Sequence, residues 1–215
     1  MPIRTIPKNY RNVTGIAASS KAGGAAQFES TLERDFLSLL EFSPEVKTID
    51  PQPVKVEWLD TRGHQRIYTP DVFVEFIDSD GKSPWLCEVK YRSDLREKWA
   101  EFRPKFKAAF HFAKERGWQF KIVTEREIRT PYLANVHFLI GYRRSIPDAK
   151  LMQGILGRLK EINESTPRDL INAVHSDATG QAQLINVLWH LIATFQVGVD
   201  LHIPLNMKSR IWRLS

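Results

Sequence analysis

Residues 70–91 read PDVFVEFIDSDGKSPWLCEVKY, and two apolar runs inside this stretch, VFVEFI (72–77) and WLCEVKY (85–91), decide the fold. Both are rich in β-branched and aromatic residues. Asp78, Ser79, Asp80 and Gly81 between them have the composition of a tight turn, so the pair reads as an antiparallel hairpin. Period-two alternation puts Glu88 and Lys90 on one face and Cys87, Val89 and Tyr91 on the other. A turn centred between Ser79 and Asp80 sets Asp71 opposite Glu88, and one centred between Asp80 and Gly81 sets it opposite Lys90. Either way Asp71 joins their face, whereas a one-residue slip would pair it with Val89 and scatter the cluster.

Side chains directly opposed across two strands have Cβ atoms about 5 Å apart, and like charges there repel. Two facing carboxylates therefore call for a cation between them. Lys90 is one candidate, and a hard divalent ion such as Mg²⁺, which takes one or two carboxylates and fills its octahedron with water and phosphate oxygens, is another. Such an ion polarises a phosphoryl oxygen and acidifies a bound water, and an ammonium beside it, here Lys90, orients or deprotonates that water and balances developing charge. The chemistry implied is phosphodiester hydrolysis. Each residue alone has a bland reading: an Asp after Pro is a common turn residue, and Glu-x-Lys is a common edge pair facing water.

The order and spacing of these residues carry a resemblance. Pro70 and Asp71, then Glu88 seventeen positions on, then Val89 and Lys90, resemble the signature of the PD-(D/E)xK nuclease superfamily. A second stretch from Ser30 to Val46, SxLExxFLSLLEFSPEV, resembles the opening of the TnsA family, the endonuclease subunit of heteromeric cut-and-paste transposons. The resemblance covers roughly residues 27–144. Some TnsA members carry Gln where this chain has Glu88.

The resemblance implies a catalytic set of Glu33, Asp71, Glu88 and Lys90. Asp71, Glu88, Glu33 and Val89 would be the metal residues, with Glu33 completing the acidic cluster at a second ion, for Mg²⁺ or the Mn²⁺ that would substitute for it. It further implies double-stranded DNA at transposon ends as substrate, 5′-end cleavage, a separate TnsB-like transposase for the 3′ ends, and a TnsC-like ATPase regulator. Two rivals use the same residues: a stand-alone restriction or repair nuclease, and a catalytically inactive DNA-associated assembly module. The implied fold class is α/β (α+β), a restriction-endonuclease-like core with a mixed central sheet, followed by a small winged-helix-like domain.

Outward from the hairpin, residues 28–42 place Phe28, Leu32, Phe36, Leu39 and Leu40 at helical spacing, with Glu29 and Glu33 on one flank and Pro44 as the stop. Glu29 is the weaker of the two acids, because only Glu33 matches the family position. VKVEWL (54–59) and QRIYT (65–69) read as strands leading into the hairpin and completing a mostly antiparallel run, with His64 and Tyr68 as sheet-edge residues.

Residues 94–116 read as a long basic helix kinked or split at Pro104, with Trp99, Phe102, Phe106, Ala109, Phe110 and Ala113 as its core stripe. Arg92, Arg96, Lys98, Arg103, Lys105 and Lys107 are its candidate DNA-backbone contacts, the kind that supply salt-dependent affinity. WQFKIVT (118–124) reads as a strand. NVHFLIGYRR (135–144) is helix or strand, and its Arg143 and Arg144 could add to a phosphate surface.

Residues 147–215 form a separate unit: an amphipathic helix over 146–163, a helix opened by the capping box Thr166-Pro167-Arg168-Asp169, a third capped at Thr179, and a terminal hairpin of VDLHI (199–203) and MKSRIWRL (207–214). That pattern suggests a winged helix. Yet no Lys or Arg occurs from Asp169 to Met207, and groove-reading helices bring cations to guanine or phosphate. The unit is therefore expected to dock protein. Residues 27–146 are then the nuclease domain.

Composition sets the outer bounds. The 215 residues carry a net charge of +6, and four of those charges (Arg4, Lys8, Arg11, Lys21) fall with no acid in residues 1–28. Residues 1–26 read as a flexible basic arm. A single cysteine, Cys87, excludes an internal disulfide and points to a reducing compartment. No apolar run approaches a membrane span or a signal peptide, so the expected site of action is the bacterial cytoplasm, at the nucleoid when active. The six histidines lack zinc-ligand spacing, and Lys21-Ala22-Gly23-Gly24 lacks the Gly-Lys-Ser/Thr of a phosphate loop.

Overall fold

The computed structural model describes residues 15–60, 62–77 and 81–214. The chain divides into two compact units, residues 1–129 and 130–215. This division falls earlier than the boundary after residue 146 expected from the sequence. The helix of 131–139 belongs with the second unit, where Phe138 packs edge-to-face on Trp189 and Asn135 bonds the 201–205 loop.

The first unit opens with a hairpin of β1 (Gly15–Ser19) and β2 (Gly24–Phe28), in register from Gly15 opposite Phe28 to Ser19 opposite Gly24. Residues 15–26 were expected in the flexible arm and are instead anchored. The hydroxyls of Ser19 and Ser20 donate to the Glu41 carboxylate, and the Lys21 ammonium caps the carbonyls of Leu40 and Ser43. Small, polar residues gave the appearance of a tail because the stabilising partners lie on the next helix. The rest of the expected arm, residues 1–14, lies outside the described residues.

Helix α1 (Thr31–Phe42) buries Leu32, Phe36 and Leu40 of the expected stripe, with Leu37 buried in addition and Leu39 only half-buried, and stops at Ser43 before Pro44. Four strands then build a mixed sheet in the order β3-β6-β7-β8: β3 (Val46–Pro51), β6 (Val72–Phe76), β7 (Trp85–Val89) and β8 (Gln119–Val123). β3 and β7 flank β6 antiparallel, and β8 joins β7 parallel. A bulge between Val46 and Thr48 disrupts the alternation of β3, which hides this strand from a period-two reading. The segments expected to extend the sheet, β4 (Val56–Leu59) and β5 (Gln65–Tyr68), pair only with each other. They form a ribbon whose inner residues Val56 and Tyr68 pack against α3.

Helix α2 (Arg92–Glu97) and helix α3 (Trp99–Glu115) replace the single helix expected over 94–116. The break falls at Lys98, whose backbone leaves the helical region, while Pro104 sits inside α3. One helical Pro costs about 3 kcal/mol. Burial of Phe102, Phe106, Ala109 and Ala113 along the same helix offsets it. Gly117, at φ +73°, closes α3, and the short α4 (Glu125–Ile128) follows with a complete capping box at Thr124 and Glu127.

The second unit contains α5 (Pro131–Leu139), a 3₁₀ turn (Tyr142–Arg144), α6 (Ala149–Ile162), β9 (Glu164–Ser165), α7 (Pro167–Val174), α8 (Ala178–Ala193), β10 (Val197–Val199) and β11 (Ile211–Arg213). NVHFLIGYRR is thus helix and turn. The three strands form one antiparallel sheet in the order β10-β11-β9. The terminal hairpin is shorter than expected and begins at Val197, and β9 adds a strand that two residues cannot announce. Thr166 caps α7 as its sequence predicts. Asp177 rather than Thr179 caps α8, its carboxylate accepting the Gly180 N–H. Among the described residues no helix is long and apolar enough to cross a membrane.

Candidate active site

Register delivers the first two acids. Val72 lies opposite Cys87, Phe73 opposite Leu86 and Val74 opposite Trp85, so continuing the pairing by one residue sets Asp71 across from Glu88. This is the first of the two registers that the turn allowed. The turn residues 78–80 themselves lie outside the described residues. The main chain of Asp71 is fixed from its other side, its carbonyl accepting the Gln52 N–H at 2.9 Å just beyond β3. Its carboxylate accepts the Val89 N–H at 2.7 Å.

Three oxygens meet at one ammonium. Lys90 Nζ lies 2.9 Å from Glu88 Oε1, 3.0 Å from the Val89 carbonyl oxygen and 3.5 Å from Asp71 Oδ2. Glu88 is only 1% exposed, and a carboxylate this deep requires hydrogen bonds or a counter-charge. It has both: the Tyr68 hydroxyl donates to Oε2, and Lys105 from α3 brings a second ammonium to 4.0 Å of Oε1. Lys105 stands over the rings of Phe102 and Tyr68, at 4.6 and 4.8 Å from their centroids.

The charges are mutually perturbed. Burial, then the neighbouring Glu88, pushes the Asp71 carboxyl up to about 7 against the pull of Lys90 and the Val89 N–H. Burial, then Asp71, pushes Glu33 up to about 7 as well. For Lys90, burial works against the charge, but Asp71 and Glu88 prevail and hold the ammonium above its ordinary range. Burial dominates for Lys105 and lowers it.

Glu33 occupies the first turn of α1 and serves its own helix. It accepts the Ser30 hydroxyl at 2.9 Å and the Glu29 N–H at 2.8 Å, while Ser30 Oγ accepts the Glu33 N–H at 3.1 Å. The Ser-x-x-Glu spacing was the sequence signal for this capping role. Glu33 nonetheless lines a cleft of about 290 Å³ together with Glu29, Val89, Lys90 and Tyr91, so the acid of the helix and the amine of the strand share one opening. Glu29 is held there by Gln52, whose amide donates to it at 3.0 Å.

Among the described residues no three His, Cys, Asp or Glu side chains group closely enough to hold a metal ion by themselves. The donor set that converges is two carboxylates and one backbone carbonyl, all oxygen, already wrapped around a cation in the form of Lys90. Hard oxygen donors in that number suit Mg²⁺ or Mn²⁺, whose remaining positions go to water and phosphate. Glu33 lies outside this donor set.

The candidate DNA contacts separate. Arg92 and Arg96 line a recess of about 390 Å³ with Ser93, Glu125 and Arg126, a residue that the sequence reading missed because it sits beyond β8. Lys98, Arg103 and Lys107 are exposed. Lys105, expected on the same outer surface, is turned inward to Glu88. Tyr68, read as a sheet-edge residue, is 7% exposed and bonded to the same carboxylate. Arg143 and Arg144 belong to the second unit.

Comparison with protein families divides the chain in the same way. Residues 43–125 match the model described as TnsA-like endonuclease N terminal, and residues 127–201 match TnsA endonuclease C terminal. Glu33 lies ahead of the first matched segment, which contains Asp71, Glu88 and Lys90. No curated protein matches the chain. With the nuclease-type strand pair inside the first match and the second match starting near the division at Arg129, the chain belongs to the TnsA endonuclease family of Tn7-type transposition.

Proposed function

We propose that the protein is a divalent-metal-dependent DNA endonuclease that cuts the 5′ ends of a transposon. A separate TnsB-like transposase would act on the 3′ ends and a TnsC-like ATPase would regulate the assembly. The single observation that carries the catalytic reading is the convergence of Asp71 Oδ2, Glu88 Oε1 and the Val89 carbonyl on one cation. Asp71, Glu88 and Val89 would hold Mg²⁺ or Mn²⁺, which when bound polarises a phosphoryl oxygen and acidifies a water.

The chain's own residues do the rest. Lys90, held as an ammonium by two carboxylates, is a hydrogen-bond donor and a positive charge for the phosphate rather than a proton acceptor. Glu33, with its carboxyl raised by burial, stands in the same cleft as the remaining acid and proton carrier. Arg92, Arg96 and Arg126 would receive neighbouring phosphates of the duplex, with Lys98, Arg103 and Lys107 adding distant charge.

The second unit fits a winged-helix-like module that docks protein. The order from α6 onward, helix, strand, two helices and two strands, supports this, as does the absence of Lys and Arg from Asp169 to Met207. In this reading the enzyme works on the bacterial nucleoid.

The test is a cleavage assay with element-end DNA and Mg²⁺ or Mn²⁺, with and without the cognate transposase, and Asp71→Ala as control. Cutting of 5′ ends only when the transposase is present, lost in Asp71→Ala, is the expected result. Cutting without any partner would instead make the protein a stand-alone nuclease. DNA association without cutting under every condition would make it an assembly module. Cutting undiminished in Asp71→Ala would remove the metal assignment.

A further inference from the structure

Glu88 is the most deeply buried of the charged residues near the cleft, and its two oxygens face different partners. Oε1 meets Lys90 at 2.9 Å and lies on the side of Asp71 and the Val89 carbonyl. Oε2 takes the hydroxyl of Tyr68, which arrives from β5, a ribbon outside the central sheet. A carboxylate on a strand can rotate about its side-chain torsions, and a rotated Glu88 would present either oxygen, or neither, to a cation. The Tyr68 bond removes that freedom.

We propose that Tyr68 is a positioning residue for metal capture: its hydroxyl holds Glu88 Oε2 so that Oε1 is left facing the cation position. The inference rests on the metal reading given above.

The surroundings of Tyr68 fit such a task. The ring is wedged with Val56, Phe102, Phe106 and Ala109 in one apolar cluster, 6.2 Å from the Phe106 centroid, and the Lys105 ammonium caps its face. An anchor must itself be immobile, and a ring packed into an apolar cluster against a helix is more rigid than a serine or water in the same place. The sheet-external ribbon thereby acquires a use: among the described residues β4 and β5 add no acid to the lining of the cleft, yet β5 delivers the hydroxyl that reaches Glu88. Partners that orient a metal-binding carboxylate influence affinity without touching the ion, and removing one typically weakens binding by about 10–100-fold.

The experiment titrates Mn²⁺ into the metal-free full-length protein by calorimetry, in wild type, Tyr68→Phe and Val56→Ala, with thermal unfolding recorded for each. Tyr68→Phe keeps the ring and its packing and deletes only the hydroxyl. Val56→Ala loosens the same cluster without altering any group on Glu88. The expected result is a Mn²⁺ affinity lowered about 10–100-fold in Tyr68→Phe and by far less in Val56→Ala, which keeps the hydroxyl on Glu88, although Val56→Ala melts lower.

Equal affinity in Tyr68→Phe and wild type overturns the inference and leaves the metal reading standing. Equal losses in both variants also overturn it, since core integrity rather than the hydroxyl would then be what matters. A wild-type chain that takes up no Mn²⁺ removes the metal reading and this inference with it.

Discussion

The two units handle buried polarity in opposite ways. In the second, the buried polar residues are neutral and fully answered: Asn135 donates twice, to the carbonyls of Leu201 and Ile203 at 2.8 Å each, and accepts the Leu205 N–H at 3.0 Å. In the first, burial falls on charges as well as on the neutral Ser19, Gln52 and Thr124. Glu88 and Asp35 are almost without solvent, and the carboxyls of Asp71 and Glu33 are lifted out of their ordinary range by burial first and then by a neighbouring carboxylate, Glu88 for Asp71 and Asp71 for Glu33. Buried charge is unfavourable unless paired, and replacing it with apolar residues is often neutral or stabilising. Retaining such a cluster is the mark of a site shaped for a ligand rather than for stability, while the Asn135 arrangement is the mark of a loop being held.

Substitution at these two places should separate the roles, and the largest effect belongs to Asp71→Ala. Loss of one of two carboxylates should lower transposase-stimulated nicking by at least about 10²–10³-fold. Thermal unfolding of the metal-free protein should change little, because relief of a buried acid facing Glu88 offsets the loss of its bonds to the Val89 N–H and Lys90. A variant that melts several degrees lower while still cutting would place Asp71 on the structural side and erase the contrast.

Asn135→Ala should do the reverse. It strands two carbonyls and one N–H of the partly exposed 201–205 loop, at about 1–3 kcal/mol on the usual scale for unsatisfied groups. Chemical denaturation of the second unit's transition measures it. A change below about 0.5 kcal/mol would mean that water or the loop itself answers those groups.

The contrast also marks what could be read in the sequence. The β6–β7 hairpin was legible because both strands are rich in β-branched and aromatic residues, turn residues lie between them, and the Asp71, Glu88 and Lys90 positions obey period two. Residues 15–26 were not, since the serines and lysine that fix them act on α1 carbonyls and a Glu41 carboxylate twenty or so positions away. β3 was masked by its bulge, and β4 and β5 had strand patterns that cannot say which strands they join. Lys105 and Tyr68 escaped for one reason: each lies in a pattern with an ordinary explanation, a basic helix face and a strand end. Only the packing of α3 on the ribbon turns both toward Glu88.

Lys105 sharpens the comparison within a single helix. Two positions along α3, Arg103 is exposed, while Lys105 is mostly covered and 4.0 Å from Glu88. Lys105→Met should therefore lower kcat by roughly tenfold, about 1.4 kcal/mol in the barrier, with KM for DNA little changed. Single-turnover cleavage across a DNA titration makes the separation. An effect confined to KM would return Lys105 to the outer phosphate surface on which its sequence neighbours lie.

The smallest effect is expected at Arg126→Ala, in the recess shared with Arg92 and Arg96. A single phosphate contact adds little affinity at physiological salt but removes one released counterion, so the slope of log K against log salt should become shallower by about 0.9. Cleavage rate at saturating DNA should be unchanged, because Arg126 makes no contact with the Asp71, Glu88 and Lys90 cluster. Equilibrium binding of the same duplex over a salt series measures the slope, with Arg103→Ala run beside it. If the recess is where the backbone sits, Arg126→Ala flattens the line more than Arg103→Ala, since Arg103 stands on open surface where its charge is screened within about 8–10 Å. Equal slopes for the two would assign DNA affinity to net charge alone and deprive the recess of any particular phosphate.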